Sequence, residues 1–283
     1  MLVRKLVTAA FRRKSARASA LAILLIGLVG STRCGGGGSQ APPSAPTPSP
    51  GLPQSGVCGT LGVTGSVAIL NGTACPADTS AVVLLNMRDR DGLALGACSG
   101  TIIAPRAILT AAHCITDGTA VVRVWLGSGA EIVARSFTPH PSYRSSASVE
   151  DVGIVTVDQD LPRTSIPLLL SRDVRVGESA IVAGWGRDQS SVPATLRAGS
   201  TTVTSVGPTL LETQYGASVS SVCSGDSGGP ILISEAGAWR VAGVTSATSE
   251  NVCNTGTNFY VNLRSSSVSS FVTQLVPEIG ADN

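Results

Sequence analysis

The sequence predicts an all-β fold, and three observations lead to that prediction: low charge, short apolar runs and frequent turn residues. Of the 283 residues, 43% are hydrophobic and only 13% are charged, which leaves little material for long charged helices. From residue 81 onward, short β-branched and apolar runs alternate with turn sequences such as Asp117-Gly118 and Ala236-Gly237. Many short strands at this spacing are typical of a barrel or sandwich rather than of alternating strands and helices.

The candidate strands recur along this whole region. In chain order, clear examples are residues 82–85, 101–103, 121–125, 154–157, 180–183, 231–233 and 241–244. The last segment has helical spacing instead, and its apolar residues are Val268, Phe271, Val272, Leu275 and Val276. Because three serines precede this stripe and Pro277 follows it, the spacing predicts a C-terminal amphipathic helix over about 266–276.

The N-terminal region has a different composition. Seven of the 20 basic residues lie before Cys34, in a segment without acidic residues. An apolar run from Ala18 to Gly30 follows the first six of them, and this order predicts a cleaved signal peptide over residues 1–33. The run is short for a bilayer span, and an uncleaved membrane anchor helix is the alternative.

Cys34 follows the apolar run and precedes a stretch of glycines. Its position is similar to that of the lipidated cysteine of bacterial lipoproteins, although Arg33 stands where a small residue is usual. A plain cleaved secretion signal is the alternative. Residues 34–68 are rich in Gly, Pro and Ser, which favours a flexible tether, and a disordered tail without a function is the alternative. We expect a secreted or cell-envelope protein, periplasmic or on the outer surface, with a lipid anchor in a bacterial membrane if Cys34 is modified.

The charge of the chain argues against a nucleic-acid partner. The formal net charge of +2 depends on the basic leader, because residues 69–283 hold 13 Arg and no Lys against 18 Asp and Glu, a net charge of −5. Binding to nucleic acid needs clustered cations that neutralise phosphates. We therefore expect no nucleic-acid binding.

Three motifs hold residues suited to a nucleophilic reaction: TAAHC at 110–114, EDVGIV at 150–155 and CSGDSGGP at 223–230. A serine hydroxyl is a weak nucleophile at neutral pH, so it needs an adjacent base, and the base needs a fixed tautomer. Ser227, His113 and Asp151 are the candidates for nucleophile, base and orienting acid. Asp151 is preferred to Glu150 because the apolar alternation that follows starts at 151. His140, the second of the two histidines, is expected to be structural.

With these motifs, the chain from Ile69 to the C-terminus resembles the trypsin/chymotrypsin family of serine peptidases, where His, Asp and Ser occur in this order. The resemblance implies two antiparallel six-stranded β-barrels, over about residues 69–165 and 166–264, with the active site between them and the helix after them. The implied activity is hydrolysis of peptide bonds in protein or peptide substrates through an acyl-enzyme, without metal or cofactor. We expect a monomer.

The resemblance also assigns roles around Ser227. The amide N–H groups of Gly225 and Ser227 are expected to bind the oxyanion of the tetrahedral intermediate. The resemblance further implies that residues 34–68 include a propeptide. After cleavage between Ala68 and Ile69, the new amine of Ile69 would pair with Asp226. Since Ala68 is not basic, the activating protease would be elastase-like, or the protein would cut itself. An uncut, constitutively active form is the alternative.

By the same resemblance, four residues shape the substrate pocket: Ser221, Ser246, Thr248 and Asn258. Ser221 stands where trypsin has an aspartate, so no buried anion would bind Arg or Lys. Thr248 replaces a wall glycine and Asn258 faces it from the next strand, and both narrow the opening. Ser246 would also bond to Asp151. We expect a small or medium uncharged residue before the scissile bond.

The chain contains seven cysteines, and exported chains favour paired thiols. If Cys34 is lipidated, six remain for three disulfides, and the sequence alone does not choose the pairing. The pairs implied by the resemblance are Cys98–Cys114 and Cys223–Cys253, which leaves Cys58–Cys75.

Two other functions stay open on the same fold. A catalytically silent relative would be a binding or adhesion module, although such proteins usually lose one of His113, Asp151 and Ser227. An esterase would apply the same acyl-enzyme chemistry to an ester.

Overall fold

The computed structural model describes most of the chain after residue 68. The described residues are Cys58, Ile69, Cys253 and the ranges 72–115, 118–145, 150–187, 195–216, 219–250 and 255–280. The predicted signal peptide, Cys34, Ala68 and the tether other than Cys58 lie outside them.

Fourteen strands and one α-helix occur in the described ranges. The first eight strands are β1 (Thr73–Ala74), β2 (Val82–Arg88), β3 (Ala94–Ala104), β4 (Ala107–Thr110), β5 (Val121–Trp125), β6 (Ile132–Val133), β7 (Ser136–Pro139) and β8 (Gly153–Thr156). The remaining elements are β9 (Ser179–Gly184), β10 (Arg197–Val206), β11 (Leu210–Gln214), β12 (Pro230–Glu235), β13 (Ala238–Thr248), β14 (Thr257–Asn262) and α1 (Ser266–Leu275). Short 3₁₀ helices occupy Ala112–Cys114 and Pro277–Gly280.

The C-terminal strands form a closed barrel. Strands β10, β11, β14, β13, β12 and β9 pair antiparallel in this order, and β9 pairs back onto β10. The two-residue strand β1 adds to this sheet by pairing with β10. Val182, Leu211, Ile231 and Tyr260 belong to an apolar cluster of this half, and each is fully buried.

The N-terminal strands form a half-barrel sheet in the order β6-β5-β2-β3-β4-β8-β7. Its two edge strands are short and partly exposed, with two residues in β6 and four in β7. No strand pairing closes this sheet in the part of the chain that the structure describes. The all-β fold with a C-terminal helix is confirmed, and of the two barrels implied by the resemblance the second is closed and the first is a half-barrel.

Trp185 connects the two sheets. It follows β9 in the closed barrel, and its indole Nε1 donates to the carbonyl oxygen of Val82 in β2 at 3.1 Å. Its ring lies 5.3 Å from the ring of Trp125 in β5. A buried indole needs a hydrogen-bond acceptor, and here the acceptor belongs to the other sheet.

The C-terminal helix α1 packs through the predicted apolar stripe. Val268, Phe271 and Val272 are buried, whereas Leu275 is 41% exposed. The imidazole of His140 lies 4.7 Å from the Phe271 ring, and its Nε2 is 3.2 Å from the Ser267 hydroxyl. His140 therefore has a structural position at the helix, as expected.

Three disulfides are present among the residues that the structure describes. Cys98–Cys114 and Cys223–Cys253 are the two pairs implied by the resemblance, and Cys58–Cys75 is the pair that these two leave. Paired cysteines of this number fit an extracellular protein. None of the helices in the described ranges has the length and apolar character needed to cross a membrane.

Candidate active site

The sheet pairing of β4 with β8 places His113 next to Asp151. Thr110 at the end of β4 lies opposite Gly153 at the start of β8, so the segments that follow one strand and precede the other meet. His113 lies in the 3₁₀ helix after β4, and the Cys98–Cys114 disulfide ties this helix to β3. Because both cysteines are oxidised, their sulfurs are not available beside His113 as thiolate ligands for a metal.

Asp151 is 2% exposed and holds His113 by two hydrogen bonds. Its Oδ2 lies 2.7 Å from His113 Nδ1, and its Oδ1 accepts from the His113 backbone N–H at 2.8 Å. The hydroxyl of Ser246, in β13 of the other sheet, also donates to Oδ2 at 2.6 Å. A carboxylate oxygen accepts from an N–H, so a neutral imidazole in this contact carries its proton on Nδ1.

Ser227 lies in a tightly turned loop before β12. The Asp226 amide donates to the Cys223 carbonyl at 3.0 Å, and the Gly229 amide donates to the Asp226 carbonyl at 2.9 Å. Gly225 and Gly228 have φ values of 98° and 81°, a region that favours glycine. A Cβ at 228 would also collide with the carbonyl oxygen of Ser99.

The amides of Gly225 and Ser227 are available to an oxyanion. In the described ranges, neither N–H donates to an acceptor of the chain, whereas the Asp226, Gly228 and Gly229 amides all do. Two unoccupied donors beside a serine hydroxyl match what acyl transfer requires. His113, Gly225 and Ser227 all line one cavity of 500 Å³.

Asp226 is 1% exposed and points away from this cavity into the protein. Its two oxygens accept from the amides of Gly186 and Cys223, each at 2.8 Å. Burial raises the pKa of Asp226 to about 6, although those two amides and the charge of Arg197 act in the opposite direction. Ile69 is buried in the apolar cluster of the closed barrel, and no ion pair joins it to Asp226 among the residues described.

The family profile described as Trypsin matches residues 69–272, which include both sheets and His113, Asp151 and Ser227. The chain belongs to the trypsin family. It is 33% identical to a chymotrypsin of Phaedon cochleariae over 165 residues, which cover 48% of this chain and 59% of that protein. It is 31% identical to trypsin epsilon of Drosophila erecta over 174 residues, which cover 53% of this chain and 66% of that protein. The chain therefore matches less than two thirds of the length of these relatives.

A solved structure titled HL collagenase has the same fold as this trypsin-family chain. The TM-score is 0.61, and the match covers 76% of this chain and 98% of the other at 21% sequence identity. At this identity the likeness concerns the fold alone.

A second, smaller cavity lies where the trypsin-family resemblance expects the substrate pocket. Its volume is 140 Å³, and its lining contains no charged residue: Val222, Cys223, Ser224, Ser227, Thr245, Ser246, Ala247 and Thr248. Ser246 and Thr248 of the four pocket residues thus line it. Ser221 and Asn258 do not, because both are buried and bonded to each other, Ser221 Oγ to Asn258 Oδ1 at 2.9 Å. The strand register places Asn258 opposite Thr248.

Ser99 is a residue of this trypsin-family site that sequence reasoning missed. It is fully buried in β3, and its hydroxyl donates to the Gly225 carbonyl while it accepts from the Trp185 amide, both at 2.9 Å. Its own amide donates to the Ser227 carbonyl at 2.7 Å. Ser99 thereby fixes both residues of the candidate oxyanion hole from the opposite sheet. Only its position next to Cys98 is visible in the sequence, and no spacing rule links it to a loop 126 residues away.

Proposed function

We propose that this protein is a serine endopeptidase in which Ser227 attacks the peptide carbonyl, His113 transfers the proton and Asp151 orients His113. The observation that carries the proposal is the pair of hydrogen bonds from Asp151 to His113, one to the ring Nδ1 and one to the backbone N–H. His113 lines the same cavity as Ser227 and Gly225. This arrangement presents a base with one defined tautomer to a serine beside two open amides.

The steps follow from these positions. Ser227 Oγ forms a bond to the carbonyl carbon as its proton passes to His113 Nε2, and the carbonyl oxygen becomes negative beside the Gly225 and Ser227 amides. The C–N bond then breaks, and His113 gives its proton to the leaving amine. Water repeats the sequence on the acyl-enzyme and releases the acid.

The same proposal includes a preference for a small or medium uncharged residue before the scissile bond. It is supported by the uncharged 140 Å³ cavity, which is well below the roughly 300–1,000 Å³ of pockets for larger ligands. Thr248 lies on the wall of this cavity, opposite Asn258, and narrows it. The lining includes no anion that would bind Arg or Lys. A panel of peptide substrates that differ in this residue checks the preference, and faster cleavage after Arg would overturn it.

Activation by cleavage between Ala68 and Ile69 is also part of the proposal. It is supported by the buried carboxylate of Asp226, which has amide donors but no cation in direct contact among the described residues. The Cys58–Cys75 disulfide would keep the propeptide attached after the cut. N-terminal sequencing of the active protein decides the matter, since an active form without an Ile69 terminus contradicts it.

Export by the leader and lipid attachment at Cys34 complete the proposal. The three disulfides support an oxidising compartment. Intact-mass measurement of the processed protein distinguishes a diacylated Cys34 terminus from a plain signal cleavage.

A fluorophosphonate probe tests the central claim. We expect the purified protein to be labelled once at Ser227, and the Ser227→Ala variant to be unlabelled. An unlabelled wild-type protein, with its processed terminus verified, would assign the chain to the silent binding module. Labelling accompanied by turnover of esters but not of any peptide would favour the esterase.

A further inference from the structure

The cavity beside His113 extends well beyond the reacting groups. Its volume is 500 Å³, against 140 Å³ for the cavity at Ser246. Ser224 and Ser227 line both cavities, so the two meet at the candidate nucleophile. A peptide bound across Ser227 therefore has its two sides in different cavities.

His113 decides which side of the peptide lies in which cavity. It lines the larger cavity and not the smaller one. In acyl transfer the base returns its proton to the leaving amine, so that amine must lie next to the imidazole. The residues after the scissile bond therefore extend into the larger cavity.

Apolar side chains form one wall of the larger cavity, although its lining also includes the hydroxyls of Thr119, Ser224 and Ser227. Met87, Leu95 and Ala97 line it from β2 and β3, and His113 is the only titratable side chain among its described lining residues, because Cys98 and Cys114 are oxidised. Leu95 is 49% exposed, and Leu93, two residues before it, is 66% exposed. Exposed leucines grouped beside a reactive site are typical of a surface that binds an apolar ligand.

The hairpin that carries these leucines is well held by hydrogen bonds. Asp89 Oδ1 accepts from the Leu93 amide at 2.8 Å, and the Asp89 amide donates to the Leu93 carbonyl at 3.0 Å. The Arg88 guanidinium donates to the Gly92 carbonyl at 2.9 Å. The apolar wall is therefore formed in advance, and a ligand does not have to order it.

We propose that the larger cavity selects substrates with an apolar side chain directly after the scissile bond, and that Leu95 is a specificity-determining residue for that side. The inference rests on the proposed peptidase function. It names a second substrate requirement, independent of the residue before the scissile bond.

Partitioning of the acyl-enzyme isolates this side of the site. The enzyme is acylated by an N-blocked alanine methyl ester, which releases methanol, and water competes with an added amino-acid amide for the acyl group. The amine nitrogen forms the new amide bond, the bond from Ser227 Oγ to the acyl carbon breaks, and His113 passes the amine proton to Oγ. We expect leucinamide to capture the acyl group roughly tenfold more effectively than glycinamide, and aspartic acid amide to be the poorest nucleophile.

Variants at exposed positions assign the effect. Leu95→Ser should reduce the ratio of leucinamide to glycinamide capture several-fold, and Leu95→Met should retain it. Both amides compete for the same acyl-enzyme, so the ratio does not depend on how fast each variant is acylated. Val176→Ser, at a residue 65% exposed in the turn before β9, is the matched control and should leave the ratio unchanged. Equal capture of both amides by an enzyme that hydrolyses the ester would overturn the inference alone. Failure to turn over any ester or peptide would overturn the proposed function instead.

Discussion

Asp151 and Asp226 are buried to almost the same extent on either side of Ser227, but their surroundings differ. Asp151 accepts from the His113 ring, the His113 amide and the Ser246 hydroxyl. Asp226 accepts from two backbone amides, and burial raises its pKa to about 6. One carboxylate thus bonds to a ring that can become a cation, whereas the other bonds to peptide amides and feels the charge of Arg197 only from beyond hydrogen-bond distance.

The difference separates the roles of the two carboxylates. In the proposed mechanism, Asp151 would stabilise the imidazolium that forms during each turnover, because the ring is already bonded to it. The oxygens of Asp226 bond to the amides of Gly186 and Cys223, so its charge bears on the conformation of the loop that holds Gly225 and Ser227. Burying this carboxylate without a paired cation costs free energy, and an ion pair with the new amine of Ile69 would reduce that cost.

The largest expected effect comes from Asp151→Asn. The amide would present a donor or a weaker acceptor to His113 Nδ1, so the required tautomer loses its support. We expect kcat to fall by about 10⁴ with the fold retained. Steady-state kinetics with a peptide substrate measure the loss.

Glu150→Gln is the matched control for this variant, because Glu150 is the adjacent acid and the other candidate in the sequence. It should leave kcat within a few-fold of the wild type. A large loss of kcat in Glu150→Gln together with a small loss in Asp151→Asn would show that Glu150, and not Asp151, orients His113.

The next effect concerns the amide donors in the loop of Asp226. Gly225 has φ of 98°, and a Cβ there would lie 2.9 Å from the Gly186 Cα, so Gly225→Ala should rotate its N–H away from the oxyanion. We expect a loss of about 10²–10³ in kcat. Gly237→Ala is the control, since Gly237 has φ of 82° and open space around its Cβ position, and it should affect stability only. Comparable losses of kcat in both would mean that strain, not the missing donor, is responsible.

Much of this could be predicted from the sequence because the signals are local. The apolar runs predict strands, and the helical spacing of Val268, Phe271 and Val272 predicts α1, which the structure has at Ser266–Leu275. The three motifs name His113, Asp151 and Ser227 before any geometry is known. His113 and Asp151 meet through the β4–β8 pairing, which no motif encodes.

What could not be predicted depends on contacts between distant segments. Ser99 bonds to Gly225 and Trp185 across 126 and 86 residues, and a serine after a cysteine has no distinctive pattern. Ser221 and Asn258 are placed near the pocket by resemblance, but their mutual hydrogen bond withdraws both from the cavity lining. The half-barrel sheet likewise depends on how short β6 and β7 are.

The cost of burying Asp226 should be visible as a pH dependence of stability. The folded-state pKa of about 6 is above the ordinary value of 3.8, so the folded state binds this proton more tightly. The contribution of Asp226 is therefore most favourable below pH 4 and is lost as the pH rises to about 6. A shift of this size corresponds to about 3 kcal/mol in the free energy of unfolding.

Denaturant unfolding of the uncut protein and of Asp226→Asn at several pH values measures this contribution. The difference between the two should change across the window from pH 4 to 6, while Asp158→Asn, whose side chain is 74% exposed, should follow the wild type. In protein cut before Ile69, the new amine should lower the pKa of Asp226 and abolish the window. If the difference in unfolding free energy between the uncut wild type and Asp226→Asn does not change with pH, burial does not raise the pKa of Asp226.

The smallest expected effect is that of Ser99→Ala, which tests whether Ser99 in β3 holds the loop of Gly225 and Ser227 in its active geometry. Ser99→Ala leaves the Gly225 carbonyl and the Trp185 amide without their buried partner, which costs about 1–3 kcal/mol shared between stability and loop geometry. We expect kcat to fall about tenfold with KM and the pH profile unchanged, because His113 and Asp151 are not touched. Turnover is expressed per fluorophosphonate-labelled site so that misfolded protein does not count. Ser136→Ala, at an exposed serine in β7, should match the wild type, and a Ser99→Ala variant that is less stable but equally fast per labelled site would assign Ser99 to the fold alone.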